Sequence, residues 1–276
     1  MPIIEPEAMH PLYEQVAQLM RGTAQQTIMP YYQKLSSDQI ENKADTPGGL
    51  SDLVTIADKE AEAMLSDGLA KLTPGATIVG EEACEADPAI LNGLGDAICW
   101  IIDPVDGTNN FGAGKPPFGV MIALAEKGEV VAGWILDPIS GRICHARRGF
   151  GAWINGERIT ARESGGALPV AAISLLFVDE DKRDALRERI SGNFTTVDIP
   201  RCAAEQYPRL VLGENDISIF ERTLPWDHAA GALFVNEAGG KVARTDGSEY
   251  KITDKRTGLI GAASPRLWDM AARILF

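Results

Sequence analysis

The chain has 276 residues, 45% of them hydrophobic and 24% charged, with 28 Gly and 16 Pro spread along its length. This composition excludes a disordered, fibrous or disulfide-stapled protein and allows one large core or two packed halves. The formal net charge is −13, from 26 Lys plus Arg against 39 Asp plus Glu, so neither nucleic acid nor an anionic membrane is expected as the main partner. Any anionic ligand would need a local reversal of the field, for which a bound divalent cation is the simplest means.

Cys84, Cys99, Cys144 and Cys202 form no CxxC pair and have no histidines at zinc-ligand spacing. They read as free thiols in a reducing compartment. Met1 to Glu7 lacks a basic start followed by an apolar stretch, and no long apolar run occurs, so a cytoplasmic location is expected.

In chain order, apolar residues at helical spacing (Leu12, Val16, Leu19, Met20) predict a first helix from Pro6 to about Leu35, and a second runs from Leu53 to Leu72. Between them, Ser36 to Ser51, with Asp45, Pro47, Gly48 and Gly49, predicts a turn-rich loop. Strands Ala76 to Gly80 and Ala97 to Ile102 each end in acids. A meander follows, Gly119 to Ala125, Val130 to Leu136, Arg142 to Ala146 and Ala152 to Ile154, separated by turn residues.

Beyond residue 160 helices and strands alternate. Strands are expected near Ala171 to Phe177, Thr195 to Val197, Asp216 to Phe220 and Leu259 to Ala262, and helices at Glu180 to Ile190, Ala203 to Leu212, Asp227 to Glu237 and Pro265 to Leu275. Two halves are expected, residues 1–150 and 151–276.

A lone acid is usually a solvated surface group. In Asp103-Pro104-Val105-Asp106-Gly107-Thr108, however, an apolar strand runs into two aspartates held by a proline, which is read as a fixed turn. Both carboxylates and the Val105 carbonyl can then converge, beside the free N–H groups of Gly107, Thr108 and Asn109. Hard oxygen donors next to anion-binding amides suit Mg²⁺ and phosphate. The competing reading is an Asp-Pro turn in which the aspartates cap backbone donors. Recurrence weakens it, because Gly80-Glu81-Glu82 and Trp226-Asp227 place further acids at element ends. Gly112-Ala113-Gly114-Lys115 fails as a phosphate loop, since Asn109 and Pro116 stand at key positions. His10, His145 and His228 show no paired spacing, and His228, next to Asp227, reads as a packed residue or as one standing behind the ligands rather than as a metal ligand.

The segments Gly80 to Glu82, Asp103 to Phe111 (DPVDGTNNF) and Trp226 to Gly240 (WDHAAGALFVNEAGG) resemble, in order and spacing, the three signature motifs of the inositol monophosphatase family. The resemblance implies an α+β fold, the layered α/β/α/β/α sandwich of the inositol monophosphatase and fructose-1,6-bisphosphatase superfamily. It implies Glu81, Asp103 and the Val105 carbonyl as ligands of a first Mg²⁺, and Asp103, Asp106 and Asp227 as ligands of a second, with two or three ions per site. Asp52 to Asp58 is similar to the family's second helix, so Asp58 and Thr108 would activate the attacking water beside Glu81. Lithium sensitivity and a homodimer are also implied.

The activity implied is Mg²⁺-dependent hydrolysis of inositol monophosphate or a related polyol or sugar phosphate. Fructose-1,6-bisphosphatase, 3′(2′)-phosphoadenosine phosphatase, NADP(H) phosphatase and histidinol-phosphate phosphatase stay open, as does a non-catalytic binding protein. The substrate is expected to meet Asp106, Gly107, Thr108, Arg201, Cys202 and Ala203. Where inositol-cleaving members have Gly-Ser/Thr-Ala-Ala, this chain has Arg201-Cys202-Ala203-Ala204, and Arg201 suits extra negative charge. Ungapped counting puts Phe220 in the place of a substrate-binding glutamate, and a one-residue gap puts Glu221 there.

Overall fold

The computed structural model describes residues 6–42, 53–173 and 180–276. Asp45, Pro47, Gly48, Gly49, Asp52 and the end of the strand expected to reach Phe177 lie outside the described residues.

Helix α1 (Pro6–Thr23) passes into a π-helical turn, Ala24–Ile28, closed by the Met29 N–H on the Ala24 carbonyl at 2.8 Å. It therefore stops well short of Leu35, because Pro30 has no N–H to continue the ladder. Strands β1 (Ile40–Asn42) and β2 (Leu53–Thr55) pair antiparallel. The second helix accordingly begins after Leu53, as α2 (Ile56–Leu72). Its start is fixed by a reciprocal cap: the Thr55 hydroxyl oxygen accepts from Ala57 N–H, and the Asp58 carboxylate accepts from Thr55 N–H at 2.8 Å.

The first large sheet takes its strands in chain order: β3 (Thr77–Gly80), β4 (Cys99–Asp106), β5 (Gly119–Glu126), β6 (Glu129–Leu136), β7 (Ile143–Arg147), β8 (Gly151–Ile154) and β9 (Glu157–Ile159). All neighbours are antiparallel except β3 and β4. The β3–β4 pair is the parallel exception in this sheet. Its connection, through α3 (Glu81–Ala86) and the 3₁₀ turn Pro88–Gly95, is long enough for a crossover. Helix α4 (Thr108–Gly112) follows β4 directly.

The second sheet is built from β10 (Val170–Ile173), β11 (Thr195–Val197), β12 (Ile217–Phe220), β13 (Lys241–Arg244) and β14 (Leu259–Ala262), in the order β11-β10-β12-β14-β13. Strands β9 and β13 have no counterpart in the sequence reading. Helices α5 (Glu180–Ile190), α6 (Ala203–Leu212) and α7 (Pro225–Glu237) lie between these strands in sequence, and α8 (Pro265–Leu275) follows the last of them.

Three apolar layers join the elements. Val16, Met20, Leu65 and Leu69 of α1 and α2 pack on Trp100, Ile102 and Trp134 of the first sheet. Tyr207, Leu210, Phe234 and Val235 of α6 and α7 are sandwiched between the two sheets. Leu267, Trp268 and Ala271 of α8 close the outer face of the second. The result is the expected α/β/α/β/α sandwich. The change of sheet falls between Ile159 and Val170, and we propose it as the division of the two halves, whereas a split at residue 150 would separate β8 and β9 from the sheet they extend.

Candidate active site

Strand β4 is buried along its whole length and ends in the two aspartates. Residues three apart on a regular strand face opposite sides. Here the pairing with β5 shifts register between Asp103 and Asp106, and the bulge turns both carboxylates toward α6 and α7. The expected Asp-Pro turn is thus a bulge inside a strand, at the residue that has no N–H to give to the ladder.

Carboxylate oxygens of Glu81, Asp103 and Asp227 lie within 4.8 Å of one another. Glu81 opens α3 directly after β3, and Asp227 sits in the first turn of α7 behind Pro225. Asp103 Oδ1 is buried with no hydrogen-bond partner among the described residues. Burial first, then the charges of Glu81, Asp106, Asp227 and Asp58, push the Asp103 carboxyl well above the usual carboxylate range. Burial and Asp227 raise Asp106 to about 6, against the lowering influence of the Cys202 thiol and the Ala204 and Ala203 amides. An all-oxygen donor set with an orphaned oxygen and mutual repulsion fits a hard divalent cation.

Behind this group, the Thr108 hydroxyl lies 2.8 Å from the Val105 carbonyl and 3.1 Å from Asp58 Oδ1. Asp58 itself is buried and does not line the cleft. Between the aspartates and Thr108 stands Gly107, with φ +83°, where an added Cβ would meet the Pro117 carbonyl at 3.0 Å and Cys202 Cβ at 3.1 Å. Only glycine suits that position. Asp106 Oδ2 accepts from the Ala204 N–H at 2.6 Å, which ties the end of β4 to the start of α6.

The cleft, of about 190 Å³, is lined by Glu81, Asp103, Val105, Asp106 and Asp227 and by the expected substrate contacts Gly107, Thr108, Arg201, Cys202, Ala203, Phe220 and Glu221. Glu82 does not line it; its N–H donates to Glu62 Oε2 at 2.8 Å. The Cys202 thiol is pushed well above its ordinary value by burial and by Asp106, so it stays protonated and is no nucleophile. The Phe220 ring stacks on Tyr207 at 4.8 Å and meets His228 edge-on at 5.1 Å, an engagement that leaves Glu221 as the polar residue of the pair at the cleft.

Gln206, Arg222 and His228 also line the cleft; Gln206 and Arg222 have no place in the sequence reading, and His228 is there only as a packed residue or one behind the ligands. Gln206 follows Ala203 by one helical step on α6, a spacing that could have exposed it. Arg222 Nη2 lies 3.9 Å from Asp227 Oδ2. His228 is depressed to about 3 by burial and is therefore neutral. Its Nε2–H donates to the Arg222 carbonyl at 2.8 Å, and its Nδ1 accepts from the Tyr207 hydroxyl at 2.7 Å.

A model of the inositol monophosphatase family matches residues 8–275. A Thermotoga maritima protein named fructose-1,6-bisphosphatase/inositol-1-monophosphatase is 34% identical over 79% of this chain and 80% of its own length. Nus factor SuhB of Escherichia coli is 37% identical, with coverage of 79% and 80%. The solved structure of a Thermotoga maritima IMPase superposes with a TM-score of 0.79 at 28% identity over 96% of both chains.

Proposed function

The chain belongs to the inositol monophosphatase family of phosphoric monoester hydrolases, and on that footing we propose that it hydrolyses a small phosphorylated polyol or sugar with Mg²⁺ as cofactor. The observation that carries this reading is the convergence of Glu81, Asp103 and Asp227 within 4.8 Å around an unpartnered Asp103 oxygen. Glu81, Asp103 and the Val105 carbonyl would hold one Mg²⁺, and Asp103, Asp106 and Asp227 a second. When bound, the cations would neutralise the phosphate, lower the pKa of a water and stabilise the leaving alkoxide.

The chain's own groups supply the rest. Thr108 orients the attacking water beside Glu81, and Asp58, 3.1 Å from the Thr108 hydroxyl, receives the proton through it. The amides that open α4 and the backbone around Ala203 receive the phosphate oxygens, and Glu221 meets hydroxyls of the leaving group. Every ligand position holds an oxygen donor, which favours an enzyme over a non-catalytic binding protein.

Li⁺ should compete at the second cation position. We infer a cytoplasmic homodimer: the four buried free thiols suit a reducing compartment, and among the described residues no helix is long and apolar enough to cross a membrane. The dimer rests on the family resemblance. Phosphate release from a panel of sugar, inositol and nucleotide phosphomonoesters, measured with Mg²⁺ and again with EDTA, tests the proposal. Turnover should vanish on chelation, and undiminished turnover would overturn it.

A further inference from the structure

The cleft that gathers three carboxylates is also lined by two arginines, Arg201 and Arg222, in a chain whose net charge is −13. Arg201 has φ +53°, a left-handed conformation that costs an L-residue about 1–2 kcal/mol and glycine nothing. Its neighbours fix that backbone. The Pro200 carbonyl accepts from Asn110 Nδ2 at 3.0 Å, and the Ala204 N–H is held by Asp106 at 2.6 Å. The main chain at residue 201 thus asks for glycine, and what arginine adds is its side chain. Strain of this kind concentrates where a residue meets a ligand. Arg201 is exposed, and among the described residues it makes no ion pair.

Two further observations point the same way. Gln206 is only 5% exposed, yet its Nε2 has no hydrogen-bond partner among the described residues. A buried donor without an acceptor is costly, which points to an acceptor arriving with the ligand. Leu53 and Ile199 add apolar lining on which a carbon skeleton can rest.

We propose that the substrate carries, besides the phosphate to be cleaved, a second acidic group, phosphate or carboxylate, received by Arg201 and Arg222, with Gln206 Nε2 donating to an oxygen of the carbon skeleton. Arginine forks match both acids bidentately. A neutral polyol phosphate offers no second acid to Arg201, whereas Arg222 lies beside Asp227 at 3.9 Å and can share its guanidinium fork with an incoming acid. The proposal rests on the phosphatase reading above.

Three acyclic six-carbon probes test it: sorbitol 6-phosphate, 6-phosphogluconate and sorbitol 1,6-bisphosphate, compared by kcat/KM with Mg²⁺. The probes with a second acid should exceed the neutral one by about tenfold or more. In Arg201→Gly, which suits the backbone at that position, the advantage should collapse toward unity, and in Arg201→Lys part of it should remain. An advantage for the bisphosphate alone would support the proposal and identify the second group as phosphate. Equal kcat/KM for all three, or an advantage that survives both Arg201→Gly and Arg222→Gln, would overturn it while leaving the phosphatase reading intact. Failure to hydrolyse any of the three, and 4-nitrophenyl phosphate as well, would remove that reading and the proposal with it.

Discussion

The carboxylate of Glu62 fills the space in which a side chain on Gly80 would stand: a Cβ built there would lie 2.3 Å from Glu62 Cδ and 2.5 Å from each of its oxygens. From α2, that carboxylate accepts the N–H groups of Glu82 and Ala83, each at 2.8 Å. These are orphan donors of the first turn of α3, so Glu62 fixes the strand-to-helix corner from which Glu81 projects. Glu62→Gln would set an NH₂ group against one of the amides, and Gly80→Ala would displace the carboxylate. Both should raise the Mg²⁺ concentration for half-maximal activity by about tenfold or more, as loss of a group that orients a metal ligand commonly does. A Mg²⁺ titration of activity checks this, and an unchanged requirement would show that Glu81 is held without Glu62.

Thr108→Ala should lower turnover by about 10²- to 10⁴-fold with little change in Mg²⁺ requirement, because its hydroxyl would position the water and relay its proton. Asp58→Asn should do the same and also lower stability. Asp58 Oδ2 accepts from the Thr55 N–H at 2.8 Å and the Thr55 hydroxyl at 2.6 Å, so the residue caps α2 as well as facing Thr108. Turnover measured beside thermal unfolding separates the two tasks, and wild-type turnover in Thr108→Ala would remove the dyad.

The acids at the ends of β3 and β4 and at the start of α7 were legible because each follows or opens a strongly patterned element. The bulge at Pro104 was not, since Asp-Pro is the same string whether it turns the chain or kinks a strand. Leu53 read as helical from its spacing, and the cap between Thr55 and Asp58 decides otherwise. That Arg222 and His228 line the cleft was hidden for a different reason. Their place at the cleft depends on α6 and α7 packing between the sheets, where Tyr207 meets His228 across 21 residues of sequence. Nothing local encodes such a contact.

His228 joins Tyr207 of α6 to the Arg222 carbonyl, and it does so as a neutral ring. Its folded pKa of about 3 lies below the roughly 6.5 of an unfolded histidine. As pH falls, the unfolded chain takes the proton first, so the contribution of this residue is full above about pH 6.5 and is lost progressively toward the folded value. His228→Phe keeps ring packing but strands the Tyr207 hydroxyl and the Arg222 carbonyl, at a cost of about 1–3 kcal/mol at pH 7.5. Denaturant unfolding at pH 7.5, 6.0 and 5.0 should show the wild-type advantage over this variant shrinking. A constant advantage would mean that the buried ring is not held neutral.

Asp103 gives the sharpest division between a metal ligand and a structural cap. Its carboxyl is raised by burial and by the neighbouring Glu81, Asp106 and Asp227 charges, and Asp106 is raised in the same direction, to about 6. An acid raised on folding contributes stability that is full below its unfolded value, about 3.9, and is lost as pH rises through the folded value. Without metal, the wild type should therefore lose stability from these groups as pH climbs from about 4 past 6, and Asp103→Asn should escape its own share of the loss. In EDTA at pH 7.5 the Asn variant should unfold at or above the wild-type temperature, because one of the crowded charges is gone. Mg²⁺ should raise the Tm of the wild type by binding the folded state and raise that of the variant far less, with turnover abolished. Were Asp103 chiefly a cap for backbone donors, its replacement would lower the Tm even in EDTA. The unpartnered Oδ1 argues against that outcome, since a capping oxygen is one that has found its N–H.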